Sequence, residues 1–132
     1  MTGEEKRRHE RVRLQRPVRL STADGSGREY TAQLRDLSVG GMGVVCDREL
    51  PVGCPVRCRF RIPYGNETRE VTLKGRVRHC RVQSSGLYLG IAFTGLSAQA
   101  SQFLETVVNE IKRRRREDEH GWRPPVLDTP AE

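Results

Sequence analysis

Two short groupings of polar residues carry the chemistry this sequence offers. Arg7 and Arg11 bracket Arg7-Arg8-His9-Glu10-Arg11, an R-x-x-x-R spacing. A guanidinium presents a planar fork of donors that suits bidentate capture of phosphate oxygens and of the O6/N7 edge of guanine, and it stacks on flat rings. The second grouping is Asp36-Leu37-Ser38-Val39-Gly40-Gly41, which reads D-x-S-x-x-G. Its carboxylate accepts hydrogen bonds, its hydroxyl donates or braces a turn, and its last glycine permits close backbone approach or a positive φ. The plain alternatives are a solvated basic arm for Arg7 and Arg11, and ordinary turn capping for Asp36 and Ser38.

Catalytic signatures are missing. The three histidines, His9, His79 and His120, form no metal-spaced pair, and there is no G-x-S-x-G. Gly40-Gly41-Met42-Gly43 runs into a strand pattern without the Lys-Ser/Thr ending of a phosphate loop. His79 beside Cys80 makes a poor nucleophile pair, because neighbours on a strand point to opposite faces. No catalytic residues, no metal and no cofactor are expected. Cys46, Cys54, Cys58 and Cys80 contain no C-x-x-C pair and follow no secretory signal, so they read as reduced core residues, with zinc as the rival.

The groupings need elements to hold them. The chain has 132 residues, 24 Lys and Arg against 17 Asp and Glu for a net charge of +7, and 35% hydrophobic residues. That is one domain, with a small ordered core and basic ends. No apolar window is long enough for a membrane span and no apolar stretch opens the chain, so a cytoplasmic protein is expected. Residues 1–16 read as a basic arm carrying R-x-x-x-R, residues 17–116 as the folded domain and 117–132 as a flexible tail.

From Pro17 the pattern alternates. Val18 and Leu20 lead to the turn Asp24-Gly25-Ser26-Gly27, and Glu29 to Leu37 returns as a second strand. Gly40-Gly41, with glycines free to take positive φ, turns into a third strand over Met42 to Cys46. Cys54, Val56, Cys58, Phe60 and Ile62 share one face of a fourth strand, with Arg57, Arg59 and Arg61 on the other. Thr68 to Val82 is a fifth strand whose apolar phase switches near Gly75 to His79, which predicts a bulge. Leu87, Leu89, Ile91 and Phe93 give a sixth strand. After Gly95 the period turns helical: Ser97 is the expected N-cap, Phe103, Val107 and Ile111 lie on one stripe, and Lys112 to Arg116 sit at the C-terminal end. The expected fold is mainly β, a six-stranded antiparallel barrel with a C-terminal α-helix and a basic N-terminal arm.

R-x-x-x-R followed by D-x-S-x-x-G, bracketing one hairpin ahead of six strands and a helix, resembles the PilZ domain family of bacterial cyclic di-GMP receptors. The resemblance covers about Lys6 to Arg116 and keeps all five motif positions, Arg7, Arg11, Asp36, Ser38 and Gly41, which it marks as the ligand-binding residues. It implies that arm arginines wrap over the barrel surface and that the D-x-S-x-x-G turn completes the pocket. The chemistry is compatible. Cyclic di-GMP carries two phosphodiesters and two guanines, and a carboxylate at Asp36 accepts from guanine N1–H and N2–H₂, donors that adenine does not offer in that pattern. Arg8, Gly40, Arg76 and Arg78 are additional candidates for the same pocket, and Lys6 stands where it can bear on whether one ligand or a stacked pair binds.

The implied function is a second-messenger receptor and adaptor whose arm changes conformation on binding and signals to a protein partner in motility, polysaccharide synthesis, the pilus or transcription. One alternative is a small basic barrel that binds single-stranded nucleic acid, which the scarcity of aromatics beside the arginines counts against. Another is a protein-interaction adaptor that binds no nucleotide. Trp122 in the tail has no assigned role.

Overall fold

The computed structural model describes residues 10–22 and 28–116. Six strands follow in chain order: β1 (Val12–Thr22), β2 (Glu29–Leu37), β3 (Gly41–Cys46), β4 (Pro55–Tyr64), β5 (Glu67–Gln83) and β6 (Gly86–Phe93). They close into an antiparallel barrel in the order β1-β2-β3-β6-β5-β4, and one helix, α1 (Ala98–Arg116), follows. Closure gives every strand a neighbour on both sides, which limits the edge open to edge-to-edge association.

The alternation on β4 builds one wall of the core: Val56, Cys58, Phe60 and Ile62 are buried while Arg57, Arg59 and Arg61 face outward. Burial in that apolar interior pushes the Cys58 thiol up to about 12, so it stays protonated and packs as a small hydrophobe. Leu104, Val107 and Val108 bring one stripe of α1 into the same core, and Tyr64 meets Phe103 with ring centroids 5.0 Å apart. Ser97 caps the helix as expected, its hydroxyl accepting from the Ala100 N–H at 3.0 Å. The phase switch on β5 is a register shift between Val77 and His79.

Three expectations need correction. The first strand begins at Val12 rather than Pro17, and Val12 is buried in the core. A register shift between Arg13 and Arg16 breaks the alternation there, so the early half of the strand carries no clean period of two. Among the described glycines, positive φ falls at Gly53, Gly65, Gly86 and Gly95, not in the Gly40-Gly41 pair. Finally, Val82, expected to share an apolar phase with Cys80, is exposed at the β5–β6 turn. Arg7, Arg8, His9, the turn at 23–27 and Trp122 lie outside the described residues.

Candidate functional site

Asp36 lies near the end of β2 and meets the start of β1 across the sheet, opposite Arg13. This pairing brings Arg11, which stands just ahead of β1, within reach: its guanidinium donates to Asp36 Oδ1 at 2.5 Å. The other carboxylate oxygen, Oδ2, accepts from the Tyr88 hydroxyl of β6 at 2.9 Å. The Arg11 side chain is 40% exposed, a setting in which an ion pair adds little stability, so the pair's main consequence is to fix a forked cation beside a fixed carboxylate.

Glycines make room for this arrangement. Gly43 of β3 pairs with Gly90 of β6. A Cβ on Gly43 would stand 1.9 Å from the Tyr88 hydroxyl oxygen and 2.7 Å from Asp36 Oδ2, and one on Gly90 would stand 2.3 Å from the His79 ring. With both side chains absent, the Tyr88 and His79 rings lie against bare backbone, stacked at 5.9 Å with planes 16° apart. The Arg81 guanidinium sits 5.2 Å from the Tyr88 ring centroid. Burial, and then the hydrogen bond to Asp36, push the Tyr88 hydroxyl up, which keeps it a donor. His79 is pushed down, first by desolvation and then by Arg81, Arg11 and Arg78, with Asp36 pulling the other way, which favours the neutral imidazole.

The turn after Asp36 is self-contained. Ser38 is buried, and its hydroxyl accepts from the Gly40 and Gly41 N–H groups at 3.2 and 3.1 Å while donating to the Gly41 carbonyl at 3.3 Å. Every hydrogen-bonding position of that hydroxyl is spent inside the turn, so Ser38 braces rather than reaches outward. Gly40 accepts from the Phe93 N–H at 2.9 Å, and a Cβ on Gly41 would stand 2.3 Å from the Ile91 carbonyl oxygen. Gly41 is therefore demanded by the close approach of β6, not by a positive φ.

The expected residues separate into those that converge and those that do not. Arg11, Asp36, Ser38, Gly40 and Gly41 are adjacent, while Arg78 stands next to His79 in the chain and is exposed. Arg76 is directed elsewhere: its guanidinium donates to the Gly53 carbonyl at 2.9 Å. Arg7 and Arg8 lie outside the described residues. Tyr88, His79, Arg81, Gly43 and Gly90 were not anticipated. The available signal was glycine recurring inside two otherwise apolar strands, which marks a place where another group comes close. Together the residues offer a fixed carboxylate, several guanidinium forks and flat rings on the barrel's outer surface, a set that suits a planar, hydrogen-bonding, anionic ligand.

No curated protein matches this chain by sequence. Among solved structures, YcgR from Escherichia coli in complex with c-di-GMP superposes with a TM-score of 0.72 at 21% identity, over 86% of this chain and 49% of that one. The PilZ domain of YcgR with c-di-GMP gives 0.68 at 17% identity, over 89% of this chain and 99% of that domain. MotI/DgrA, an inhibitor of motility from Bacillus subtilis, gives 0.71 at 19% identity, over 86% of this chain and 53% of its own. The chain thus spans about half the length of MotI and of full YcgR, and it shares their fold. With the family profile described as PilZ domain matching residues 5–110, the chain belongs to the PilZ domain family.

Proposed function

We propose that this chain is a cytoplasmic receptor for cyclic di-GMP that passes ligand binding on to a partner protein. The observation that carries the reading is the Arg11–Asp36–Tyr88 cluster beside the braced D-x-S-x-x-G turn. A carboxylate has about four lone-pair sites, and Arg11 and Tyr88 take one on each oxygen. The remaining two accept from the N1–H and N2–H₂ of one guanine, while the unspent Arg11 donors reach a phosphate or the guanine O6/N7 edge. Arg7 joins from the arm. Ser38 and Gly41 hold the turn, and the Tyr88–His79 pair with Arg81 gives a flat surface beside the base. Nothing in this scheme makes or breaks a bond, so the chain acts by binding and not as an enzyme.

Engagement of Arg7 and Arg11 changes the conformation of the residues ahead of β1, 1–11, and a partner in motility, polysaccharide synthesis, the pilus or transcription reads that change. The test is calorimetric titration with cyclic di-GMP at physiological salt, on wild type and Arg11→Ala, with GTP, cyclic di-AMP and a short single-stranded RNA as competitors. Saturable binding of cyclic di-GMP alone, weakened at least tenfold in the variant, is expected, since about 1.5–3 kcal/mol goes with each charged hydrogen bond lost. Silence toward the dinucleotide with steeply salt-dependent RNA binding overturns the reading. Amide exchange over residues 2–11, ahead of β1, is expected to slow on adding ligand, and unchanged exchange there sinks the arm's conformational role.

A further inference from the structure

On the outer surface of β1, β4 and β5 the strand registers line up arginines. Arg19 stands opposite Arg59 and Ser21 opposite Arg57; beyond β4, Arg57 faces Lys74, Arg59 faces Thr72 and Arg61 faces Glu70. Arg57, Arg59 and Arg61 recur at every second residue, about 7 Å apart along the strand. The face holds Arg19, Arg57, Arg59, Arg61 and Lys74 against Glu29 and Glu70, a net +3, and Arg16 adds a further cation where it lines the groove beside them. A groove of about 610 Å³ opens here, with Arg16, Arg19, Arg59, Arg61, Thr31 and Thr68 among its lining. The site lies further along the strands, where Asp36 pairs with Arg13 and Tyr88 with Arg81, whereas this face is centred on β4, the strand opposite β3 in the closed ring.

The face already handles carboxylates. Arg59 reaches Glu29 Oε2 at 3.9 Å and Glu70 Oε2 at 3.6 Å, and Arg19 reaches Glu29 Oε1 at 3.2 Å. Arg16, Arg57 and Arg61 have no ion-pair partner among the described residues. None of the outward residues of the face is aromatic, which leaves no platform for stacking bases, and the two glutamates interrupt the positive field that a continuous phosphate backbone needs. A protein surface with discrete carboxylates meets neither obstacle. Side chains four apart on a helix stand about 5–6 Å apart at Cβ, close to the interval of the β4 arginines, and a guanidinium fork matches a carboxylate edge to edge.

We propose that this face docks the partner protein through a row of carboxylates carried on one face of a helix. The proposal rests on the receptor-and-adaptor reading and names the chemistry of the partner. It is tested by fluorescence anisotropy on the full chain at physiological salt with three labelled probes. The first is an alanine-based peptide of about 20 residues, long enough to be helical, with Glu at every fourth position. The second is its isomer with the same glutamates spread around the helix, and the third is an oligothymidylate of similar length.

The row peptide is expected to bind more tightly than its isomer and than the oligothymidylate. Arg59→Gln/Arg61→Gln is expected to weaken it about tenfold, from two exposed pairs lost together. Arg57→Gln alone gives a smaller loss, and Arg113→Gln/Arg114→Gln, which removes the same charge from α1, leaves binding unchanged. Equal binding of the isomer, equal loss from the α1 variant, preference for the oligothymidylate, or no peptide binding overturns the proposal. Cyclic di-GMP titrations on the same variants separate the two readings. The β4 variants are expected to keep the nucleotide response, so failure of the docking face leaves the receptor untouched, and failure of nucleotide binding leaves the peptide result standing.

Discussion

Along β4 every outward position from Arg57 to Arg61 is an arginine, whereas across the barrel the outward positions of β3 and β6 at Gly43 and Gly90 carry no side chain at all. The arginine face is held by exposed ion pairs to Glu29 and Glu70 that rearrange at little cost. The glycine face is held by backbone proximity: Gly41 under the Ile91 carbonyl, Gly43 under Tyr88 and Asp36, Gly90 under His79. One barrel therefore presents a tolerant charged surface and an intolerant fitted one, and a substitution of the same size has different consequences on each.

The largest contrast is expected at Gly41. Gly41→Ala puts a Cβ 2.3 Å from a backbone oxygen that cannot swing aside, and is expected to cost about 2–3 kcal/mol in chemical denaturation. At Gly90→Ala the nearest atoms are those of the His79 ring, a side chain that can give way at the cost of its stacking on Tyr88, so the expected effect is a displaced imidazole with a smaller loss of stability than at Gly41. If the two variants lose stability equally, the account of the fitted face is wrong. Tyr88→Phe comes next: it removes the donor to Asp36 Oδ2 and is expected to cost about 1 kcal/mol, with a loss of nucleotide affinity that Arg59→Gln does not share.

His79 gives a smaller, pH-dependent effect. Its proton is disfavoured in the folded chain, so the unfolded chain binds protons first as pH falls from about 6.5; the stability His79 contributes is present above that pH and is lost on going down through its lowered folded value. An NMR titration of the imidazole should find a midpoint below 6.5. Arg81→Gln should raise it more than Arg11→Ala does, following the order of their influence. The smallest effect is expected at Arg61→Ala, within about 0.5 kcal/mol of wild type, because the residue is exposed and pairs with no carboxylate among the described residues.

The same contrast explains what could be read from the chain. Alternation on β4, the span of β2, the phase switch on β5 and the Ser97 cap are local signals, and each was legible. The first five residues of β1 were not, because the shift between Arg13 and Arg16 hides Val12 from any period of two. Arg11, Asp36 and Gly41 stood out by spacing, but the physical task of Gly41 did not, since the Ile91 carbonyl that requires it comes from a strand fifty residues away. Tyr88 and His79 were invisible for the same reason: their partners, Asp36 and two glycines, are set by the closure of the ring rather than by neighbours in sequence.

Amide chemical-shift mapping of the full chain during titration with cyclic di-GMP tests the central claim most directly. The account predicts shifts at Arg11, Asp36, Gly41, Gly43, Tyr88 and Gly90 that saturate together, with Arg57, Arg59 and Arg61 across the barrel unmoved. Shifts centred on β4 with the Asp36 region silent, or no saturable shift at all, would contradict it.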